Sequence, residues 1–104
     1  MKPGRIPCCV LGCGRTAAAD KHPGCEEIIC GKHWRTVSKG LKRQYRTANQ
    51  RIRKILRKRP GHAEYWLYPP GSPQRLSAHA MWARSNSIWK QIKAEAIEIA
   101  MGIR

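Results

Sequence analysis

Cysteine and histidine carry the chemistry open to this chain. Cys30 and His33 stand three residues apart in the run Cys30-Gly31-Lys32-His33, and Cys8, Cys9 and Cys13 crowd a stretch upstream. Tetrahedral zinc takes two such pairs, each on a tight turn, with donors converging to about 2.0–2.3 Å of the ion. Cys30-x2-His33 is one pair. For the other, Cys8-x4-Cys13 and Cys9-x3-Cys13 both reach, and Gly12 and Gly14 bracket Cys13 to permit the turn. A closed set of four donors leaves no position for substrate, so such a zinc is structural and supplies folding energy. Disulfides are the competing use of five cysteines, but the odd count and the lack of a secretory apolar region favour metal.

The elements that must position these residues fall into four parts of a single domain spanning residues 1–104. Residues 1–33 hold every Cys, five of the nine Gly and three of the seven Pro, a composition suited to turns around a metal. Within them the strand-like Glu26-Glu27-Ile28-Ile29 runs into Cys30. Residues 34–59 read as a helix. Residues 60–76 form a Pro/Gly-rich connector around Tyr65-Trp66-Leu67-Tyr68, whose rings are expected under the helices. Residues 77–101 read as a second helix, with Gly102 as its C-cap.

Charge is distributed unevenly. Between Glu27 and Glu64 lie twelve Lys and Arg and no acid, in a protein of net charge +15. At about 100° per residue, Trp34, Val37, Leu41, Tyr45, Ala48, Ile52, Ile55 and Leu56 share one apolar arc. Beside it cluster Arg35, Lys39, Lys42, Arg46, Arg53 and Arg57, a row about 33 Å long at the helical rise. Ser38-Lys39-Gly40 is the weak point, where a short helix could end and a new one begin. A merely solvated helix mixes signs, because opposite charges four apart stabilise it and like charges do not. Unopposed cations call for an anionic partner: nucleic acid first, DNA ahead of RNA, with an acidic protein surface as the alternative.

The second helix is charge-balanced and places Met81, Ser85, Ile88, Ile92, Ala96, Ile99 and Ile103 on one face, with Trp82 and Trp89 at its edge. It is expected to pack antiparallel on the first and build the core.

The motif Pro7-Cys8-x3-Gly12-Cys13, followed by Cys30-x2-His33 entering a basic helix, resembles small bacteriophage zinc proteins of the treble-clef type. The resemblance spans roughly residues 7–59. It implies a small mainly-α zinc-binding domain: a knuckle, a short β-hairpin, then two antiparallel amphipathic helices. It implies Cys8, Cys13, Cys30 and His33 as ligands of one structural zinc, favours Cys8 over Cys9, and leaves Cys25 as a buried thiol or an alternative ligand. It also implies a phage-encoded regulatory protein that binds nucleic acid, or one whose basic face docks on an acidic protein of the bacterial host.

Treble clefs also house HNH-type nucleases, which need a histidine base on the hairpin and further His or Asn ligands for a catalytic metal. His22 occupies the hairpin position, but no Asn lies between it and Cys30, and no His follows one turn beyond His33. A degenerate HNH-like nuclease is therefore the last of three readings, and no enzyme is expected. No apolar run is long enough for a bilayer, so the expectation is a cytoplasmic protein with no membrane partner.

Overall fold

The structure, a computed structural model, describes residues 4–22 and 25–103. Its contacts divide the chain into two compact units, one built from Met1–Ser38 with Ile92–Arg104 and the other from Lys39–Gln91.

The first unit opens with a two-stranded antiparallel hairpin, β1 (Arg5–Pro7) and β2 (Thr16–Ala18), pairing Ile6 with Ala17. Alternation along β1 buries Ile6 and leaves Arg5 exposed, where its guanidinium donates to Thr16 Oγ1 and to the Thr16 carbonyl, both at 3.1 Å. The knuckle expected ahead of the hairpin is instead its loop, closed by Cys8 N–H donating to Arg15 O at 2.9 Å. Glu26-Glu27-Ile28-Ile29 is not a strand either. It makes a single parallel bridge, Ile28 to Cys8, before the chain turns into α1 (Gly31–Trp34).

The helix expected over residues 34–59 is broken. After α1 the backbone tightens: Thr36 N–H and Oγ1 both donate to His33 O (3.1 and 2.6 Å), and Val37 N–H donates to Trp34 O at 3.2 Å. These three-residue closures end the first helix. Val37, 3% exposed, is buried, and Ser38 gives its N–H to Glu95 Oε1 (2.8 Å) and its hydroxyl to Glu95 Oε2 (3.3 Å). A buried carboxylate thus holds the break, and α2 (Lys39–Lys58) starts afresh. Ile6, Val10, Val37, Ile92 and Ala96 form the buried apolar set of this unit.

The second unit comprises α2, a 3₁₀ segment over Pro60–Leu67 kinked at Glu64, and residues 73–91 of α3 (Pro73–Ala100). α3 starts before residue 77 because Ser72-Pro73 is a start signal: Ser72 Oγ accepts from Arg75 N–H at 3.2 Å, and proline fits the first helical position. The helices are antiparallel, since Tyr45 meets Trp89 (ring centroids 5.8 Å apart) and Asn49 Oδ1 accepts from Ser85 Oγ (3.2 Å). Ala48, Ile52, Ala78 and Ile88 are buried here, and Leu41, Tyr45, Ile55 and Leu56 half-buried, so the apolar arc of α2 is intact. Trp82 is half-buried and donates its Nε1–H to His62 O at 2.9 Å. Trp66, expected to be covered, is 57% exposed, because its side chain falls on the outer side of the 3₁₀ segment while His62 takes the buried position.

At its end α3 closes as expected on Gly102, with φ +76°. Ile103 N–H returns to Glu98 O (2.9 Å) and Gly102 N–H to Ile99 O (3.0 Å), the paired closure of a left-handed cap. The cap turns Ile103 off the core face, and it is exposed. No described helix is long and apolar enough to cross a membrane.

Candidate metal centre

Cys8 directly follows β1, Cys13 sits between two glycines in the hairpin loop, Cys30 precedes α1 and His33 lies on its first turn. The positive φ of Gly12 (+79°) and Gly14 (+70°) is what lets the loop fold Cys13 back toward Cys8. Together the four side chains place one donor atom each within 4.8 Å of all the others.

The individual spacings are informative. Cys13 Sγ lies 3.7 Å from Cys30 Sγ, and His33 Nδ1 lies 3.7 Å from Cys8 Sγ and 3.2 Å from Cys30 Sγ. A tetrahedral ion with the usual metal–sulfur and metal–nitrogen bond lengths sets these separations at about 3.8 Å for S···S and about 3.5 Å for S···N. The set therefore surrounds a space of the right size for one metal ion. A disulfide would need sulfurs at about 2.05 Å, and all described cysteines are free thiols.

Electrostatics prepare the same atoms. Burial alone would push the Cys30 thiol up, but the His33 backbone N–H and the side chains of Cys13, His33 and Cys8 outweigh it and bring it down to about 6. Cys30 N–H also reaches Cys8 Sγ at 3.4 Å. For Cys13 the backbone N–H of Arg15 acts to lower the thiol, yet burial and the neighbouring sulfurs of Cys30 and Cys8 raise it on balance. Sulfurs this close resist simultaneous ionisation, which a bound cation would relieve. Val10 and Ile97 supply an apolar backing to the cluster.

The two alternative thiols stand outside the set. Cys9 packs beside the cluster but contributes no donor atom to it, and burial foremost, then the charges of Cys8 and Glu27, pushes its thiol up to about 11. Cys25 is exposed rather than buried. His22 ends a 3₁₀ turn after β2, exposed and outside both strands.

Among the residues of the expected cationic row, Lys39, Arg46, Arg53 and Arg57 are exposed on α2, and Lys42 is half-buried with partners of its own. Arg35 is exposed but lies in the turn after α1, so it leaves the row. Residue spacing did not single out Glu95, Arg51 or Arg84; Glu95 sits on a charge-balanced helix, and the two arginines acquire meaning only from the neighbours described below. No protein-family model, curated protein or solved structure matches this chain.

Proposed function

We propose that this chain is a zinc-stabilised nucleic-acid-binding protein that grips phosphate backbone through the exposed face of α2. One observation carries the reading. Lys39, Arg43, Arg46, Arg51, Arg53, Lys54, Arg57 and Lys58 are all exposed, and none makes an ion pair among the described residues. The second unit holds thirteen Lys and Arg against a single Glu, a net charge of +12. Such a field attracts polyanions and releases their counterions on contact. Lys39 to Arg57 spans about 27 Å of helix, and DNA is favoured over RNA as the partner because a helix enters the B-form major groove but not the deep, narrow groove of A-form RNA.

Three sulfurs and one imidazole are a donor set that suits zinc, and four protein donors close the site against catalysis. The metal then serves as a folding element, and the protein acts as a binder rather than an enzyme. The Cys8/Cys13 and Cys30/His33 spacing supports a treble-clef-type module of the bacteriophage kind.

The test is fluorescence anisotropy with labelled duplex and single-stranded DNA at about 50 mM salt. With about five phosphate contacts, affinity falls on the order of 500-fold between 50 and 200 mM salt. The double variant Arg46→Glu/Arg53→Glu abolishes binding while the circular dichroism spectrum stays unchanged. Wild-type protein that binds neither strand at low salt, but holds an acidic protein instead, overturns the reading.

A further inference from the structure

Resting on the nucleic-acid reading, we infer that the cleft between α2 and α3 of the second unit receives one unpaired nucleotide of a bound strand. Its phosphate lies against Arg43, Arg51 and Arg84, and its base enters the apolar slot beyond them. The outer part of the cleft is a groove of about 400 Å³ lined by those three arginines, with Gln44, Thr47 and Ser87 as neutral donors. No carboxylate lines it, and none of the three guanidiniums has an ion pair among the described residues. Arg75, by contrast, donates to Tyr68 O at 3.3 Å, so arginines of this unit take an acceptor when one is in reach. Three planar forks directed along one groove repel each other until an oxyanion joins them, and phosphate matches their geometry.

Arg51, Arg84 and Ala48 also line the next recess, of about 340 Å³, so the two run together. Here the walls turn apolar, with Ile52, Ile55 and Met81, and His62 lies at the wall. His62 is 1% exposed; its Nδ1 is paired with Tyr68 Oη at 3.0 Å, while its Nε2 is buried without a partner. A buried ring nitrogen left unpaired is unfavourable, and the polar edge of a heterocycle would satisfy it in either tautomer. A cationic mouth, an apolar slot and an unpaired imidazole nitrogen together select a nucleotide over a bare anion or an alkyl chain. A base can reach such a slot only when it is out of a stacked pair.

The same chemistry is present in a free nucleotide, so the experiment has three arms: inorganic phosphate, adenosine monophosphate, and a fluorescein-labelled single strand, with duplex as reference. Arg84→Gln weakens the single strand about tenfold or more, the loss of a charged hydrogen bond. Arg53→Gln, an exposed cation outside the cleft, weakens it only about twofold to fivefold, as for a screened surface charge. Ala80→Trp fills the slot from an exposed position; it lowers single-strand affinity about tenfold and leaves phosphate displacement unchanged. Tighter binding of the monophosphate than of the strand reassigns the cleft to a free nucleotide and overturns the strand proposal. Equal losses in Arg84→Gln and Arg53→Gln, with no effect of Ala80→Trp, overturn the cleft while backbone binding by α2 stands. Failure of the wild-type protein to bind any strand overturns both.

Discussion

The two units solve the problem of a small chain in different ways. The first contains eight Lys and Arg against five acids, a net charge of +3, and two of its buried residues, Cys8 and Cys30, belong to a cluster of three cysteines and a histidine. The second carries +12 and no such cluster among the described residues; it folds on an antiparallel helix pair with an apolar seam and a buried histidine. A core this small contributes only a few kcal/mol, so an ion held by the first unit's four donors would add to its stability, whereas the second tolerates mutual repulsion because its helices are long enough to bury a seam. The candidate metal donors and the accumulated charge are thus kept to separate stretches of the chain. The lesson is that the positive charge is concentrated in the unit whose described residues hold no candidate metal cluster.

The sharpest way to break this contrast is to remove one donor. Cys13→Ala or Cys30→Ser should weaken metal binding by more than the roughly 10–100-fold typical of losing an outer partner. Hydrogen exchange should then accelerate through residues 4–38 while residues 39–91 keep their protection. Loss of protection in both stretches alike would show that the second unit also depends on the metal.

Next in size is Glu95→Ala. It strips the carboxylate that holds Ser38 at the helix break and should cost about 2–3 kcal/mol, read by urea unfolding of the metal-loaded protein. Smaller again is the half-exposed pair of Lys93 with Glu27, worth about 0–1 kcal/mol, so Lys93→Met should barely move the midpoint. The hydrogen bond that Lys93 donates to Glu27, opposed in part by burial, raises the Lys93 amine above its ordinary 10.5. A raised amine gives stability that is complete below pH 10.5 and lost as pH climbs through the folded value, so wild type and Lys93→Met should converge only in strong alkali. The smallest effect has the opposite sign. Arg46→Glu relieves like-charge repulsion on α2 and should stabilise the second unit by about 0.2–0.5 kcal/mol while it weakens nucleic acid binding.

The metal cluster was legible because spacing alone brings Cys30 and His33 onto one helical turn, and glycines on both sides of Cys13 announce a reversal. Which of Cys8 and Cys9 joins them was not fixed by spacing; the chain leaving β1 buries Cys8 in the cluster and leaves Cys9 packed beside it. The helix break at residues 35–38 was half legible: Ser38-Lys39-Gly40 marked a weak point, but the apolar pattern argued for continuity. Trp34 and Val37 stay in phase with Leu41 and Tyr45 at helical spacing, so the angular pattern reads through a gap that Ser38 and Glu95 close from 57 residues apart. Arg51 and Arg84 were invisible as a pair because they lie on different helices, and only the antiparallel register joins them.

The central claim is that the basic unit binds nucleic acid and the unit with the Cys/His cluster does not. Amide NMR of the zinc-loaded protein, titrated with a short DNA strand at about 50 mM salt, tests it most directly. The account predicts shift changes confined to residues 39–91, strongest along α2 and around Arg84, with Cys8, Cys13, Cys30 and His33 unmoved. Changes centred on the cluster, or none at all, would contradict it.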